Sequence, residues 1–385
     1  MSGATGIALV LDTLARGGAE RVLVQLANGL DRERFRVHFI ATRTPGELAA
    51  ELAADVAVHS LERRGRWHPG AIGRFAELTA RHRIRLIHTH SHSAAYFVRL
   101  AKALSGQSWL HVCHDHHGPV EDSTPLRLLD RLLLRRIDYH FAVSEPLRHY
   151  ALRTLGLDPV RVEVLPNGVP EPRCGPPMPG ARFTIIQVAR VEPDKNHELA
   201  LAAAAALREA VPDFQWLMIG RADSPHGARC QRLARELGLQ DNVTFVGERP
   251  DVAPLLATAH VGVLTSRFEG LPLSLLEYMA AALPVATTAA GECGDLVRAS
   301  GGGTVVGPGD AAALARALTA LARSPESAIA AGAANRGFVR RHFGVAAMLR
   351  RVELVYSALL SGGPVPAPAP AARDTARQPA ASGAA

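Results

Sequence analysis

SRFEGLPLSLLEYMAAA, residues 266–282, reads as a loop entering a helix. Pro272 suits the first turn of that helix, where no backbone N–H is needed. Leu273, Leu276, Met279 and Ala280 recur at helical spacing and give an apolar face. Two carboxylates stand eight residues apart, Glu269 in the loop and Glu277 in the helix. A helix start leaves N–H groups unpaired and carries partial positive charge, so it suits a phosphate. Carboxylates beside an anion site make sense when they accept hydrogen bonds from hydroxyls. A nucleotide sugar offers both a diphosphate and many hydroxyls. The bare pair also fits a solvated helix face, so the surrounding chain has to decide.

Outward from this stretch, the second half alternates strands with helices. FTIIQV, QWLMIG, VTFVG, VGVLT and PVATT read as five buried strands. Helices are expected near 197–210, 228–238, 251–257, 272–282 and 310–322, then near 326–341 and 345–360. The first half repeats the pattern, with strands at 6–12, 37–42, 56–60 and 85–88, in WLHVCHD, and at 139–144 and 161–165. VLPNGVPEPRCGPPMPGAR between the halves is a Pro/Gly-rich breaker. The expected fold class is α/β, with two Rossmann-like, doubly wound parallel-sheet domains facing a central cleft. The boundaries expected are an N-terminal domain at 1–168, a linker at 169–182 and a C-terminal domain at 183–344. A C-terminal helix at 345–361 is expected to pack back toward the N-terminal domain, before a disordered Pro/Ala-rich tail at 362–385.

Composition narrows the partners. The 385 residues are 48% hydrophobic and 21% charged, as in an ordinary globular protein. No apolar run is long enough for a transmembrane helix. The N-terminus lacks the basic region of a signal peptide. Cys113, Cys174, Cys230 and Cys293 show neither metal nor disulfide spacing, which fits a reducing cytoplasm. The net charge of +7 favours anionic partners: phosphates, nucleotides or an acidic membrane surface. Aromatics are 5% and no recognition module is visible, so nucleic acid is not expected.

Three features of the first half carry candidate chemistry. Gly17 and Gly18 follow the first strand and open a helix, the layout of phosphate-binding turns, without the full G-x-G-x-x-G fingerprint. Thirteen of the 17 histidines lie at or before His149, with HTHSHS and HDHH at the ends of consecutive strands. LERRGRWHPG, with Arg63, Arg64, Arg66, Trp67 and His68, and the stripe Arg127, Arg131 and Arg135 offer basic surfaces toward an anionic acceptor or headgroups. A solvated charged edge is the plainer reading of both.

Taken together, RGGAERVL, DYHFAVSEPLRHY, VEVLPNGV, VARVEPDKNHELAL and VLTSRFEGLPLSLLEYMA resemble, in order, the landmarks of the retaining GT-B glycosyltransferases of family 4 type. The resemblance spans about residues 6–360. It implies transfer of a sugar from a UDP- or GDP-linked donor to a saccharide or lipid-linked acceptor. The implied setting is surface polysaccharide, lipopolysaccharide or glycolipid assembly. It further implies a cytoplasmic protein, peripheral on the inner face of the membrane, with no cofactor and no metal. By the same resemblance, Arg190 and Lys195 neutralise the diphosphate, helped by the backbone N–H groups of Gly270 and Leu271 beside Pro272. Glu277 takes the ribose hydroxyls, and Glu269 holds the sugar. Gly17 and Gly18 let the backbone approach phosphates or acceptor. His114 is matched to the histidine near the transferred sugar, with His116 and His117 as rivals. His90, His92, His116 and His117 are acceptor-side candidates. The run AAGECGDLV departs from the family pattern: Asp295 takes the place of a glutamate and Ala290 that of a glycine.

Three rivals stand beside this reading. A metal-dependent hydrolase would use the histidine runs, but the Asp-His end of its ligand pattern is missing. A UDP-sugar 2-epimerase would share the donor class, yet FEGLPLSLLE and PDKN favour a transferase. A non-catalytic sugar-nucleotide-binding subunit could dispense with Glu269, which is present.

Overall fold

The computed structural model describes residues 3–65, 68–116, 133, 136–171, 182–249 and 251–368. Arg66, Trp67, His117, the stripe Arg127, Arg131 and Arg135, the linker core 172–181 and the tail from 369 lie outside the described residues. The chain forms two compact units, one of residues 3–168 with the C-terminal helix, the other of Val169–Gly344.

Unit 1 is built on a seven-stranded parallel sheet. Its strands are β1 (Thr5–Leu11), β2 (Phe35–Ala41), β3 (Ala57–Ser60), β4 (Ile84–Thr89), β5 (Leu110–Asp115), β6 (Tyr139–Ala142) and β7 (Val162–Val164). They lie in the order β3-β2-β1-β4-β5-β6-β7. Six of the seven β1 residues are buried, as a strand covered on both faces requires. Helices α1 (Gly18–Gly29), α2 (Pro69–Arg81), α3 (His92–Ser105) and α4 (Glu145–Arg153) make crossovers. Between β2 and β3 the chain forms a short 3₁₀ turn, Glu47–Glu51.

Unit 2 carries a six-stranded parallel sheet: β8 (Phe183–Val188), β9 (Phe214–Ile219), β10 (Val243–Gly247), β11 (Val261–Leu264), β12 (Val285–Thr288) and β13 (Gly303–Val306). Their order is β10-β9-β8-β11-β12-β13. The helices are α5 (His197–Ala210), α6 (Pro225–Glu236), α7 (Ala253–Leu256), α8 (Leu273–Ala280), α9 (Cys293–Ser300), α10 (Ala311–Arg323) and α11 (Pro325–His342). Phe214, Trp216, Met218, Leu201, Leu207 and Leu314 share its main core, each side chain contributing about 1.5–3 kcal/mol by leaving water.

Two elements of unit 2 go beyond the sequence reading. β13 is a sixth strand on the sheet edge, hidden in a glycine run that reads as a loop. Its Gly303 packs so tightly that a Cβ would lie 2.0 Å from the Val285 carbonyl oxygen. α9 is only eight residues long and contains Gly294, so its helical pattern is faint.

Helix α12 (Val345–Ser361) belongs to unit 1. Met348, Val352, Val355 and Tyr356 form its buried stripe at helical spacing. Glu353 Oε1 accepts from the Asp31 backbone N–H at 2.8 Å. Glu163, itself 3% exposed, accepts from Arg351 Nε at 2.8 Å and from the Tyr139 hydroxyl at 2.6 Å. That carboxylate is therefore buried with its partners in place. Among the described residues, no helix is long and apolar enough to cross a membrane.

Candidate active site

In unit 2, β8 pairs with β11, although β9 and β10 intervene in the chain. From β8 the chain turns toward β9, and from β11 toward β12 on the other side. Loops leaving the carboxyl ends of such a strand pair diverge, which makes this the ligand position of doubly wound sheets. The two loops here are those carrying Arg190 with Lys195, and Glu269.

The first loop ends in a 3₁₀ turn, Pro193–Lys195, and Asn196 then adopts left-handed backbone, φ 52° and ψ 51°, before α5 begins. Asparagine tolerates that conformation better than most residues. The second loop is tied to the first. The Arg267 N–H donates to the Asp194 carbonyl at 2.8 Å, and the Thr265 hydroxyl to the Lys195 carbonyl at 2.9 Å. Gln187 Nε2 donates in turn to Thr265 at 3.0 Å. Held this way, Lys195 Nζ reaches Glu269 Oε1 at 2.8 Å and Asp194 Oδ2 at 3.4 Å. Ser266 donates its hydroxyl proton to the same Glu269 oxygen at 2.6 Å. The Lys195 and Glu269 side chains are 17% and 10% exposed, so the pair is largely shielded yet open to a ligand. Arg190 is exposed and makes no ion pair with Glu269 among the described residues.

Helix α8 carries Glu277, half-buried, and starts just after Pro272, with no side-chain cap on its first N–H groups. Gly270 is half-buried and Leu271 buried in the approach to it. Tyr278 locks the helix in place. Its hydroxyl accepts from the Val188 N–H at 2.5 Å, and a Cβ at Gly262 would lie 2.4 Å from its ring. Burial holds the Tyr278 phenol protonated, its pKa well raised.

The loop after β12 braces the site from below, which sequence reasoning missed. Gly291 has φ 53° and passes under Glu269, where a Cβ would lie 1.8 Å from the Glu269 carbonyl oxygen. Glu292, 4% exposed, follows it. Cys293 is fully buried, and its thiol is raised first by burial and then by the Glu269 charge, so it stays protonated. Asp295, the residue matched to the family glutamate, faces outward and pairs with Arg298 at 2.9 Å. The signal for this brace is the Ala-Gly-Glu-Cys run itself, which the alignment to Asp295 passed over.

In unit 1 the matching switch point lies between β1 and β4. Gly17, in extended backbone, caps α1 and Gly18 starts it, with no side-chain hydrogen bond to the helix N-terminus. Beside it, Asp12 Oδ1 accepts from Arg63 Nη2 at 2.6 Å, and Arg63 also donates to Ser93 Oγ at 2.6 Å. Arg63 is 5% exposed, so this member of the basic loop is an internal tie.

The histidines form a layer. In parallel strands, alternate residues share a face. His88 and His90 therefore stack beside His114 and His116, with ring centroids 4.3 Å apart for His88–His90 and 4.1 Å for His114–His116. His90 Nδ1 and His116 Nε2 are 3.1 Å apart, and His88 Nδ1 lies 2.6 Å from the Tyr356 hydroxyl. His90 and His114 are buried, and His116 is half-buried at the strand end. His92, in the first turn of α3, approaches Asp115 at 3.3 Å. Burial, and secondarily neighbouring histidines, hold His88, His90 and His114 well below the usual imidazole range. They are neutral at pH 7 and poor at carrying charge.

Two family models match the chain back to back over residues 16–337. That described as Glycosyltransferase Family 4 matches residues 16–173, and that described as Glycosyl transferases group 1 matches 175–337. EpsF of Bacillus subtilis, which carries a glycosyltransferase name, is 28% identical over 71% of this chain and 77% of its own length. The UDP-Gal:alpha-D-GlcNAc-diphosphoundecaprenol alpha-1,3-galactosyltransferase of Escherichia coli is 24% identical, over 54% of this chain and 58% of its own. The solved structure of Anabaena HepE in complex with UDP and glucose superposes with a TM-score of 0.79 at 19% identity, covering 91% of this chain and 99% of that one.

Proposed function

The chain belongs to the group 1, family 4-type glycosyltransferases of the GT-B fold, and from that premise we propose a retaining transfer of a sugar from a nucleotide-diphosphate donor to a saccharide or lipid-linked acceptor. The observation that carries the proposal is the Lys195–Glu269 contact at the β8/β11 switch point, with Glu277 on the helix that follows. A cation beside a carboxylate suits a ligand whose diphosphate and hydroxyls are adjacent.

In this reading Lys195 and Arg190 take the diphosphate, together with the N–H groups at the start of α8. They stabilise the charge that grows as the bond from the anomeric carbon to the phosphate oxygen breaks. The acceptor hydroxyl attacks from the same face, its oxygen bonds to the anomeric carbon, and its proton passes to the departing phosphate oxygen. Glu269 accepts from sugar hydroxyls and stabilises the cationic ring. Glu277 accepts from the ribose. The neutral imidazole layer ending at His116, with His114 behind it, orients sugar or acceptor. No metal enters this step.

The nucleotide is UDP in the complexes of HepE, and the E. coli relative takes a lipid-diphosphate acceptor by its name. Both support a UDP-sugar donor and a setting in surface polysaccharide or lipopolysaccharide assembly. That setting implies a cytoplasmic protein working at the inner face of the membrane. The test is a thermal-shift panel of nucleotide sugars, followed by transfer assays with the donor that binds. A ligand at 100 times its Kd stabilises the fold by about 2.7 kcal/mol. A panel in which no UDP- or GDP-sugar raises the melting temperature counts against the proposal.

A further inference from the structure

Away from the Lys195–Glu269 pair, helices α5 and α6 bring together three side chains that the transfer chemistry does not use. Glu198 sits in the first turn of α5. His226 and Cys230 lie one helical turn apart on α6 and project from the same face. Their potential ligand atoms all lie within 4.8 Å of one another. We propose that Glu198, His226 and Cys230 form a zinc site that clasps α6 to the start of α5.

The distances suit a metal, and the His226–Cys230 separation is also within reach of a sulfur hydrogen bond. His226 Nε2 is 3.5 Å from Glu198 Oε2 and 3.6 Å from Cys230 Sγ. The first separation is too long for a charge-assisted hydrogen bond. In a tetrahedral zinc site, with zinc–nitrogen and zinc–oxygen near 2.0–2.2 Å and zinc–sulfur near 2.3 Å, the ligand–ligand edges are about 3.4 Å and about 3.6 Å. The observed pairs match those edges. Glu198 Oε2 is, moreover, buried without a hydrogen-bond partner among the described residues, an expensive arrangement that a cation relieves.

The donor set selects the ion. One sulfur, one imidazole and one carboxylate suit zinc and disfavour magnesium or calcium. Three protein ligands leave a fourth position for water. Cys230 is fully buried, while the His226 and Glu198 side chains are 15% and 26% exposed, which gives the ion an entry path. Zinc binding breaks the Cys230 S–H bond, forms a zinc–sulfur bond and releases one proton to solvent, with no change of oxidation state. The other cluster, His88, His90 and His114, is less suited. Its ligand atoms also lie within 4.8 Å of one another, but it has no sulfur or carboxylate, and His88 Nδ1 already lies 2.6 Å from the Tyr356 hydroxyl.

The clasp sits behind the phosphate turn. Glu198 follows Lys195 by three residues, and the residue capping α6, Ser224, already donates to the Val191 carbonyl at 3.2 Å. A metal here would fix α6 against the segment that carries Lys195.

The test uses untagged full-length protein. Zinc affinity is measured by competition with a chromophoric chelator, and cobalt(II) is used as a spectroscopic substitute. One zinc per chain is expected, and the cobalt protein should show sulfur-to-cobalt charge-transfer absorption. Cys230→Ala and His226→Gln should each weaken zinc binding at least about 100-fold, since loss of a direct ligand exceeds the cost of an outer-sphere change. Melting temperatures in excess chelator should stay near wild type, showing that the variants fold. The proposal is overturned if wild type binds no zinc at micromolar concentration, if the cobalt form lacks the thiolate band, or if either variant retains wild-type affinity. Should a variant fail to fold, the wild-type stoichiometry and cobalt spectrum still decide.

Discussion

Lys195→Ala and Glu269→Gln should move nucleotide affinity in opposite directions. The two groups are 2.8 Å apart, with side chains 17% and 10% exposed. At an effective dielectric constant near 20, unit charges at that distance attract by about 6 kcal/mol. Desolvation offsets most of this, and the net worth is far smaller. A bound diphosphate competes for the same ammonium. Removing Lys195 deletes a charge-assisted contact worth about 1.5–3 kcal/mol, so the Kd for the nucleoside diphosphate should rise about 10- to 150-fold. Loss of the cation at the leaving group should lower kcat/KM by about 10²–10³. Glu269→Gln instead removes a negative charge beside the phosphates and frees Lys195. Nucleotide affinity should then hold or improve, while transfer falls because the sugar loses its acceptor. Isothermal titration with the nucleoside diphosphate and initial-rate assays at saturating acceptor read both quantities. Melting curves exclude unfolding as the cause. If both substitutions weaken nucleotide binding equally, Lys195 is a structural partner of Glu269 and the donor assignment fails.

Other outcomes follow from the same geometry. Glu277→Ala should raise the nucleotide Kd about 10-fold or more by the loss of ribose hydrogen bonds, and an unchanged titration would remove Glu277 from the site. Gly291→Ala places a Cβ 1.8 Å from the Glu269 carbonyl oxygen in left-handed backbone; strain of about 1–2 kcal/mol plus the clash should lower the melting temperature and the activity together. A variant as stable and active as wild type would show that this loop does not brace Glu269. Tyr278→Phe leaves the Val188 N–H without its acceptor and should cost about 1–3 kcal/mol in urea unfolding; a smaller change would mean that water replaces the phenol. The buried histidines predict acid sensitivity. His140 and His38 are lowered to about 4, first by burial. The unfolded chain thus binds protons that the folded one does not, so the stability is complete above about pH 6.5 and is lost as pH falls toward 4. The slope should be about 1.4 kcal/mol per pH unit for each such histidine, and a denaturation midpoint flat between pH 7 and 5 would contradict the burial of His38 and His140.

Much of the architecture was legible because both halves bury their strands on two faces. Continuous apolar runs such as GIALVL and FTIIQV can only be central parallel strands when helices alternate with them. What stayed hidden was weak in pattern. β13 starts in three consecutive glycines, and its glycine is required by contact with Val285 instead of by a turn. α9 is short and has no side-chain cap at its N-terminus. The histidine surplus also becomes intelligible only in the sheet. HTHSHS and HDHH looked like ligand runs in one dimension, but strand alternation sorts them. His88, His90, His114 and His116 take one face, while His111 and His140 take the other, where His111 lies 3.0 Å from the Thr89 hydroxyl. Most of the surplus packs against itself and against Phe141 and Tyr356.

The glutamate pair in the FEGLPLSLLE run shows where sequence reasoning stops and topology begins. Spacing put Glu269 at a helix entrance, but no local feature says that an ammonium 74 residues away will meet it. That meeting depends on strand order. β11 returns to the side of β8 that β9 left open, and only then do the exits of β8 and β11 face each other. Thr265, Ser266 and Asp194 convert this adjacency into fixed geometry through three short hydrogen bonds. None of the three is chemically distinctive, so none could be picked from the sequence. The same logic gives their substitution a definite signature. Ser266→Ala removes one of two donors to Glu269 Oε1 and leaves Lys195 in place, so it should lower kcat several-fold with little change in nucleotide Kd. A Ser266→Ala enzyme with wild-type kcat would mean that Lys195 alone orients the carboxylate. One with weakened nucleotide binding would mean that the hydroxyl serves the donor directly.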